Sequence, residues 1–369
     1  MSVLSTIPAD VDAIITANRT RAVGAGIDPN QYDQVTAQLT ALNAWAPAFR
    51  ATAAAHRRRA DAAAGATRRV SAGEAYLAAA LWAHFATCYP NPDRAAHRGA
   101  VAEAAAAYRL ALTQLDPAAA WLDRRDTPYP FVGVLRRPVG VAHPPLALII
   151  GGLDSGKEEF HYVAEALLAR GVATFAFDGP GQAELSAATT IEPAYQRVVT
   201  HVLDTLRSAE ADLGIDDRRV GAVALSLGGY YGVASAASDA RLGALVTVSG
   251  LCALHWASLP ALVTTTLAQR AGSEDTARAF AGAVDATARA ADLTCPLLVV
   301  AGGRDIIPTP AEAERLAHTA PHGELLLVPE GDHLLANVQW MWLGQAAGWL
   351  AEHIDSARLE RYIMKDQQG

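Results

Sequence analysis

Three residues of the C-terminal half could together supply a nucleophile, a carboxylate and a base. Ser226 lies in "VGAVALSLGGYYGVASAAS", after an apolar run and before Gly228, Gly229 and an Ala-rich helical stretch. A serine between a strand and a helix is exposed on a sharp turn, provided that the residues two before and two after it are small. Gly228 meets that demand, and Ala224 departs from it by one methyl group. Asp305, in "LLVVAGGRDIIP", follows a later apolar run in a loop ended by Pro308. His333, in "LLLVPEGDHLLAN", follows the last such run.

Each has a duller reading when taken alone: a serine at a strand end, a turn aspartate, an exposed loop histidine. Taken together, Ser226, Asp305 and His333 stand in the chain order nucleophile, acid, base of α/β-hydrolases, each after a strand. A serine hydroxyl needs a base to remove its proton before it attacks. His333 would be that base, and Asp305 would fix its tautomer and stabilise the imidazolium. The tetrahedral oxyanion then needs preorganised donors, each contributing about 3–4 kcal/mol. The expected donors are the N–H of Leu227 and the N–H of Leu153. Leu153 lies in "GGLDSGKEEF", where Gly151 and Gly152 permit close approach of backbone to a substrate.

That Gly-rich loop lacks the spacing of a phosphate-binding loop, and Asp154 with two glutamates opposes an anion. Asp154 has two readings. In an apolar, water-poor pocket its carboxyl would be a proton donor or acceptor near neutral pH. Alternatively, Asp154 or Ser155 caps the helix "KEEFHYVAEALLAR". No H-E-x-x-H or Cys/His cluster suggests a metal, and Pro321 separates His318 from His322. No metal and no cofactor are expected. The run His56–Arg59 reads as a solvated helix face.

These residues need a framework, and the chain supplies one after about residue 125. The apolar runs "FVGVLRR", "LALII", "ATFAF", "RVGAVAL", "ALVTV", "LLVVA" and "LLLV" alternate with helical stretches. That is the pattern of a mostly parallel sheet with helices on both faces. Residues 251–292 interrupt the alternation with a helical insertion at the carboxyl end of the sheet, where ligands bind in such folds. Trp256 and the neighbouring leucines suggest an apolar pocket there, with Tyr230 as a second contact.

The first third differs: from about residue 30 to residue 115 it is Ala-rich, helically spaced and almost without strand signal. "SAGEAYLAAALWAHFATCY" has Ser71 and Glu74 in a capping-box pattern, and a further helix is entered after Pro92. A helical cap over residues 1–125 and a catalytic domain over residues 126–369 are therefore expected, with Trp121 packed between them. Half of the 369 residues, 51%, are apolar, enough for a sizeable core. The formal charge of −8 argues against nucleic-acid and membrane-surface roles. Cys88, Cys252 and Cys295 are far apart and fit buried thiols of a reduced, cytoplasmic protein. Neither a signal peptide nor a membrane span is expected.

"GGLDSGKEEF", "FDGPGQAE", "VALSLGGYYG", "AGGRDIIP" and "EGDH", with the helical first third, resemble one branch of the α/β-hydrolase superfamily. It includes 2,6-dihydroxypseudooxynicotine hydrolase, fungal polyketide-shortening pigment hydrolases and the fermentation regulator FrsA. The resemblance implies the same three residues in catalysis, and a functional acidic residue that falls on Asp154. It also implies a helical segment over the active site, cleavage of a carbon–carbon bond beside a ketone, and a homodimer. The expected substrate is a small apolar or aromatic acyl compound. Two alternatives stand beside carbon–carbon cleavage: a carboxylic ester hydrolase of natural-product metabolism, and a non-catalytic regulatory protein on a hydrolase scaffold.

Overall fold

The computed structural model describes residues 11–91, 93–208 and 213–366, with side chains to Ile354. Pro92, the expected helix entry, and residues 1–10 lie outside the described residues.

Eight strands form one sheet in the order β1-β2-β4-β3-β5-β6-β7-β8. They are β1 (Ala120–Asp123), β2 (Val132–Arg136), β3 (Pro145–Ile150), β4 (Ala173–Asp178), β5 (Asp216–Leu225), β6 (Leu242–Val248), β7 (Leu297–Gly302) and β8 (Gly323–Val328). β2 runs antiparallel to both β1 and β4, and the pairs from β4 through β8 are parallel. Alternate residues of the central strands feed two apolar cores. Leu148, Ile150, Ala222, Ala224 and Leu245 face one, and Ile149, Val223, Leu225 and Val246 face the other. Buried on both sides, these strands cannot alternate with polar residues, which is why they are continuous apolar runs.

β1 was not among the expected runs. "AWLD" is short and ends in aspartate, and only its pairing with β2 makes it a strand. The sheet therefore begins before residue 125.

Among the described residues, five α-helices precede the sheet: α1 (Val11–Ala25), α2 (Pro29–Thr36), α3 (Trp45–Gly65), α4 (Arg69–Phe85) and α5 (Arg94–Leu115). Ser71 lies inside α4 and caps nothing, because a tight turn after α3, with Thr67 at φ 58°, sets the start of α4 at Arg69. Asp93 caps α5 instead, accepting from the N–H groups of Ala95 and Ala96. Trp121 packs with α4 and α5 residues against Val134 of β2, and the Arg109 guanidinium lies 4.0 Å from its ring centre.

Further helices among the described residues are α6 (His161–Leu168), α7 (Gln196–Ser208), α8 (Leu227–Ser238), α9 (Ala261–Ala271), α10 (Glu274–Ala283), α11 (Ala286–Ala290), α12 (Pro310–Thr319) and α13 (Gln339–Asp366). α9, α10 and α11 occupy the expected insertion between β6 and β7.

The chain leaves β3 for β4 on one side and returns to β5 on the other. Such a reversal opens a crevice at the carboxyl ends of the two strands. The loop after β3 and the turn after β5 both lie there.

Candidate active site

Ser226 follows β5 directly and has φ 58° and ψ −125°, a left-handed conformation that costs a non-glycine residue about 1–3 kcal/mol. The turn is held by Ser226 N–H donating to Val248 O, and by the N–H groups of Gly229 and Leu251 donating to Ser226 O. Glycines allow this close packing. A Cβ on Gly228 would come within 2.2 Å of Ile150 O, and one on Gly229 within 2.3 Å of Gly250 Cα. The departure at Ala224 has a partner. A Cβ on Gly232, one turn into α8, would lie 2.7 Å from the Ala224 methyl. Bulk added before the serine is thus removed after it.

His333 Nε2 is 3.0 Å from Ser226 Oγ. Its Nδ1 lies 3.1 and 3.0 Å from the two carboxylate oxygens of Asp305. Asp305 is 5% exposed and also accepts from Ile307 N–H. The loops carrying the pair are pressed together at glycines. A Cβ on Gly302 would meet Gly331 O at 2.5 Å, and one on Gly303 would meet Pro329 O at 2.4 Å. Leu334 and Leu335, just after the histidine, have φ of 66° and 49°, and Leu334 N–H donates to Ser249 Oγ at 2.8 Å. Ser249 is itself at φ 47°. Left-handed residues thus cluster around Ser226 and His333, where the surrounding packing must enforce them.

The loop after β3 lies against the serine. A Cβ on Gly152 would be 3.2 Å from Ser226 Oγ, so Leu153 is the next residue beyond a point of contact. Leu227 N–H is the first of α8 and has no preceding helical carbonyl to bond. Gln182, in the "DGPGQ" stretch, fixes this loop. Its Nε2 donates to Gly151 O at 2.8 Å and Gly152 O at 2.9 Å, while its Oε1 accepts from Gly179 N–H and Tyr195 O–H. All four sites of the amide are used.

Asp154 is not in an apolar setting. Arg21 Nη1, from α1, donates to its carboxylate at 2.9 Å. The same guanidinium grips Glu159 through Nε at 2.5 Å and Nη2 at 2.9 Å. Nor does Asp154 cap a helix, since α6 starts at His161, after a run of turns, with no side-chain cap. His84 of α4 completes the group, with Nε2 3.0 Å from Glu159 and Nδ1 3.3 Å from Glu158. Burial opposes the charge on Glu159, but Arg21 and His84 outweigh it and hold the carboxyl at about 2. Burial likewise opposes the charge on His84. The Cys88 sulfur and the two glutamates raise it well above the ordinary histidine value. Next to them, the buried Lys157 ammonium donates to Asp178 at 2.6 Å and Glu184 at 2.9 Å.

This charged layer was missed in the sequence. The two glutamates of "KEE" read only as charges opposing an anion at the start of a helix, and their partners Arg21 and His84 lie far upstream. The available signal was two glutamates between apolar Phe160 and a Gly-rich loop, a place where acids are buried only if paired.

Tyr230 and Trp256 are the expected substrate contacts. Tyr230 is buried, and its hydroxyl donates to Pro193 O and Ala283 O, tying α8 to the α7 approach and to α10. Trp256 stacks beneath Arg278, 4.8 Å from its ring centre, and lines a surface cavity of about 500 Å³ whose lining contains none of Ser226, Asp305 and His333.

No protein-family model matches the chain. It is 28% identical over 302 residues to 2,6-dihydropseudooxynicotine hydrolase of Paenarthrobacter nicotinovorans, covering 80% of this chain and 81% of that one. The crystal structure of 2,6-dihydroxy-pseudo-oxynicotine hydrolase superposes with a TM-score of 0.81 at 26% identity, over 91% of this chain and 95% of that one. A segment of 113 residues is 37% identical to 20-hydroxy-prefusarin hydrolase FUS2 of Gibberella moniliformis, spanning 29% of this chain and only 26% of the fungal protein. AbyA5, at 20% identity and a TM-score of 0.68, shares the fold. Among the described residues no helix is long and apolar enough to cross a membrane. The chain is a homologue of 2,6-dihydropseudooxynicotine hydrolase and of FUS2, and an enzyme of the α/β-hydrolase fold.

Proposed function

We propose that this α/β-hydrolase cleaves a carbon–carbon bond beside a ketone through an acyl-enzyme on Ser226. The observation that carries the reading is the unbroken series Asp305, His333, Ser226, with 3.0 Å from His333 Nε2 to the serine oxygen. The homologue that covers four-fifths of this chain directs it toward the ketone.

His333 Nε2 takes the Ser226 proton as Oγ attacks the ketone carbon. Asp305 accepts from Nδ1–H and stabilises the imidazolium. The N–H groups of Leu153 and Leu227 receive the oxyanion, each worth about 3–4 kcal/mol. Collapse breaks the carbon–carbon bond. Its electron pair leaves with the carbon fragment as a stabilised enolate, which takes the proton back from His333. Water then gives a proton to His333, attacks the acyl group and frees Ser226 and a carboxylic acid. No other acid is required, so the Arg21–Asp154 pair does not obstruct the cycle.

Ester hydrolysis is the second reading. It uses the same residues, since an alkoxide leaving group would likewise take its proton from His333 Nε2, 3.0 Å from Ser226 Oγ. Intact-mass spectrometry with an aryl β-diketone and with p-nitrophenyl butyrate tests both. An acyl adduct on Ser226 is expected from each, with faster turnover of the diketone. Ser226→Ala should lose about 10⁴-fold or more in kcat on each without unfolding. A Ser226→Ala variant that keeps its rate would sink the serine mechanism. Turnover of the ester alone would leave the second reading.

A further inference from the structure

Arg270, in the last turn of α9, is a buried cation that forms no ion pair with a carboxylate among the described residues. It is 5% exposed. Its Nη1 donates to His97 Nε2 at 3.0 Å. Burial, helped by Arg270 and Arg98, pulls the His97 ring down to about 3, so this partner is neutral and brings no countercharge. Arg270 Nε and His97 Nδ1 are both buried with no hydrogen-bond partner. A guanidinium stays protonated at any pH a protein tolerates. A folded chain seldom keeps such a charge unpaired without a use for it.

The backbone of Arg270 is tied to the loops that carry the site. Its carbonyl accepts from Ile191 N–H at 3.1 Å. Ile191 packs on Gly181, in the loop whose Gln182 holds Gly151 and Gly152 beside Ser226. Burial works against the charge on Arg270, and the field of Asp154, next to Leu153, partly offsets it. With Nη1 committed to His97, the edge formed by Nε and Nη2 remains, and that edge matches the two oxygens of a carboxylate.

We propose that Arg270 binds a carboxylate carried by the substrate, with His97 as the residue that orients it. The proposal rests on the reading of the site as an acyl hydrolase. It narrows the substrate from an apolar acyl compound to one bearing an ionised carboxylate away from the bond that breaks.

The test is binding rather than turnover, in full-length Ser226→Ala protein, so it stands whether or not Ser226 is acylated. Calorimetric titration compares phenylacetate with its neutral counterpart phenylacetamide. The acid should bind at least about 10-fold more tightly, as a bidentate charged contact provides. Adding Arg270→Gln should bring the ratio close to one, and Arg270→Lys should restore only part of it, since a point charge lacks the fork. An acid-to-amide ratio near one in Ser226→Ala, or a ratio that Arg270→Gln leaves unchanged, would overturn the proposal. If the glutamine variant does not fold, the lysine variant decides: a ratio reduced about 3-fold or more supports the carboxylate contact, and an unreduced ratio overturns it.

Discussion

Arg21 of α1 donates to the Asp154 carboxylate at 2.9 Å and fixes it in place. Its neighbour Leu153 is one of the proposed oxyanion donors. Asp154 is therefore expected to anchor that donor instead of protonating a leaving carbon. Asp154→Asn should lower kcat by about 10-fold on the diketone and on the activated ester alike, the loss of one well-placed contact. A loss of about 100-fold or more confined to the diketone would restore proton transfer to Asp154. The residue types were legible in the sequence here, but their partners were not. Ser226, Asp305 and His333 each follow a strand whose pattern announces it. Nothing local to Asp154 announces an arginine in α1.

At the scale of elements, the loop after β3 is fastened from two directions. Gln182 pulls on its backbone from within the sheet domain, and Arg21 and His84 pull on its side chains from α1 and α4. Removing one member of a buried ion pair typically costs about 3–5 kcal/mol. Arg21→Met should lower the melting temperature accordingly at pH 7. The pH dependence follows from Glu159, whose folded value of about 2 lies below its ordinary value of 4.5. A depressed carboxyl contributes its full stability above the unfolded value and loses it as pH falls through the folded one. The gap between wild type and Arg21→Met should thus be widest above pH 4.5 and close toward pH 2. His84 works in the opposite sense. Raised well above 6.5, it contributes fully below that value and loses its contribution as pH climbs through the raised one. Melting curves across pH check both limbs, and a gap that stays constant below pH 4.5 would contradict the Glu159 assignment.

For the whole molecule, the helical segment is joined to the site at several points. Besides Arg21 and His84, Thr20 Oγ1 donates to Asp332, the residue before His333, and Gln339 donates to Gly24 O. Trp121 lies in β1, the edge strand of the sheet, against α4 and α5. Expression of residues 126–369 alone should give insoluble or inactive protein, because it strips β1 and removes Arg21 and His84 from Glu159. A soluble fragment with full esterase activity would show that the helices are dispensable. The sequence revealed the sheet, the insertion and the helical first third because each rests on local periodicity. It concealed the ties between them. Arg21 and Glu159 stand 138 positions apart, and a contact at that distance leaves no trace in spacing.

Ala224 and Gly232 share one small volume between β5 and α8. Sequences that carry glycine before the serine need not keep glycine at the later position, so the order in which the two could change is constrained. Alanine to glycine at 224 opens a gap the size of a methyl group, costing about 1 kcal/mol. Glycine to alanine at 232 as the first step drives two methyl carbons together in a core with little slack. A lineage drifting between this form of the turn and the commoner one would travel through the gap and not through the collision.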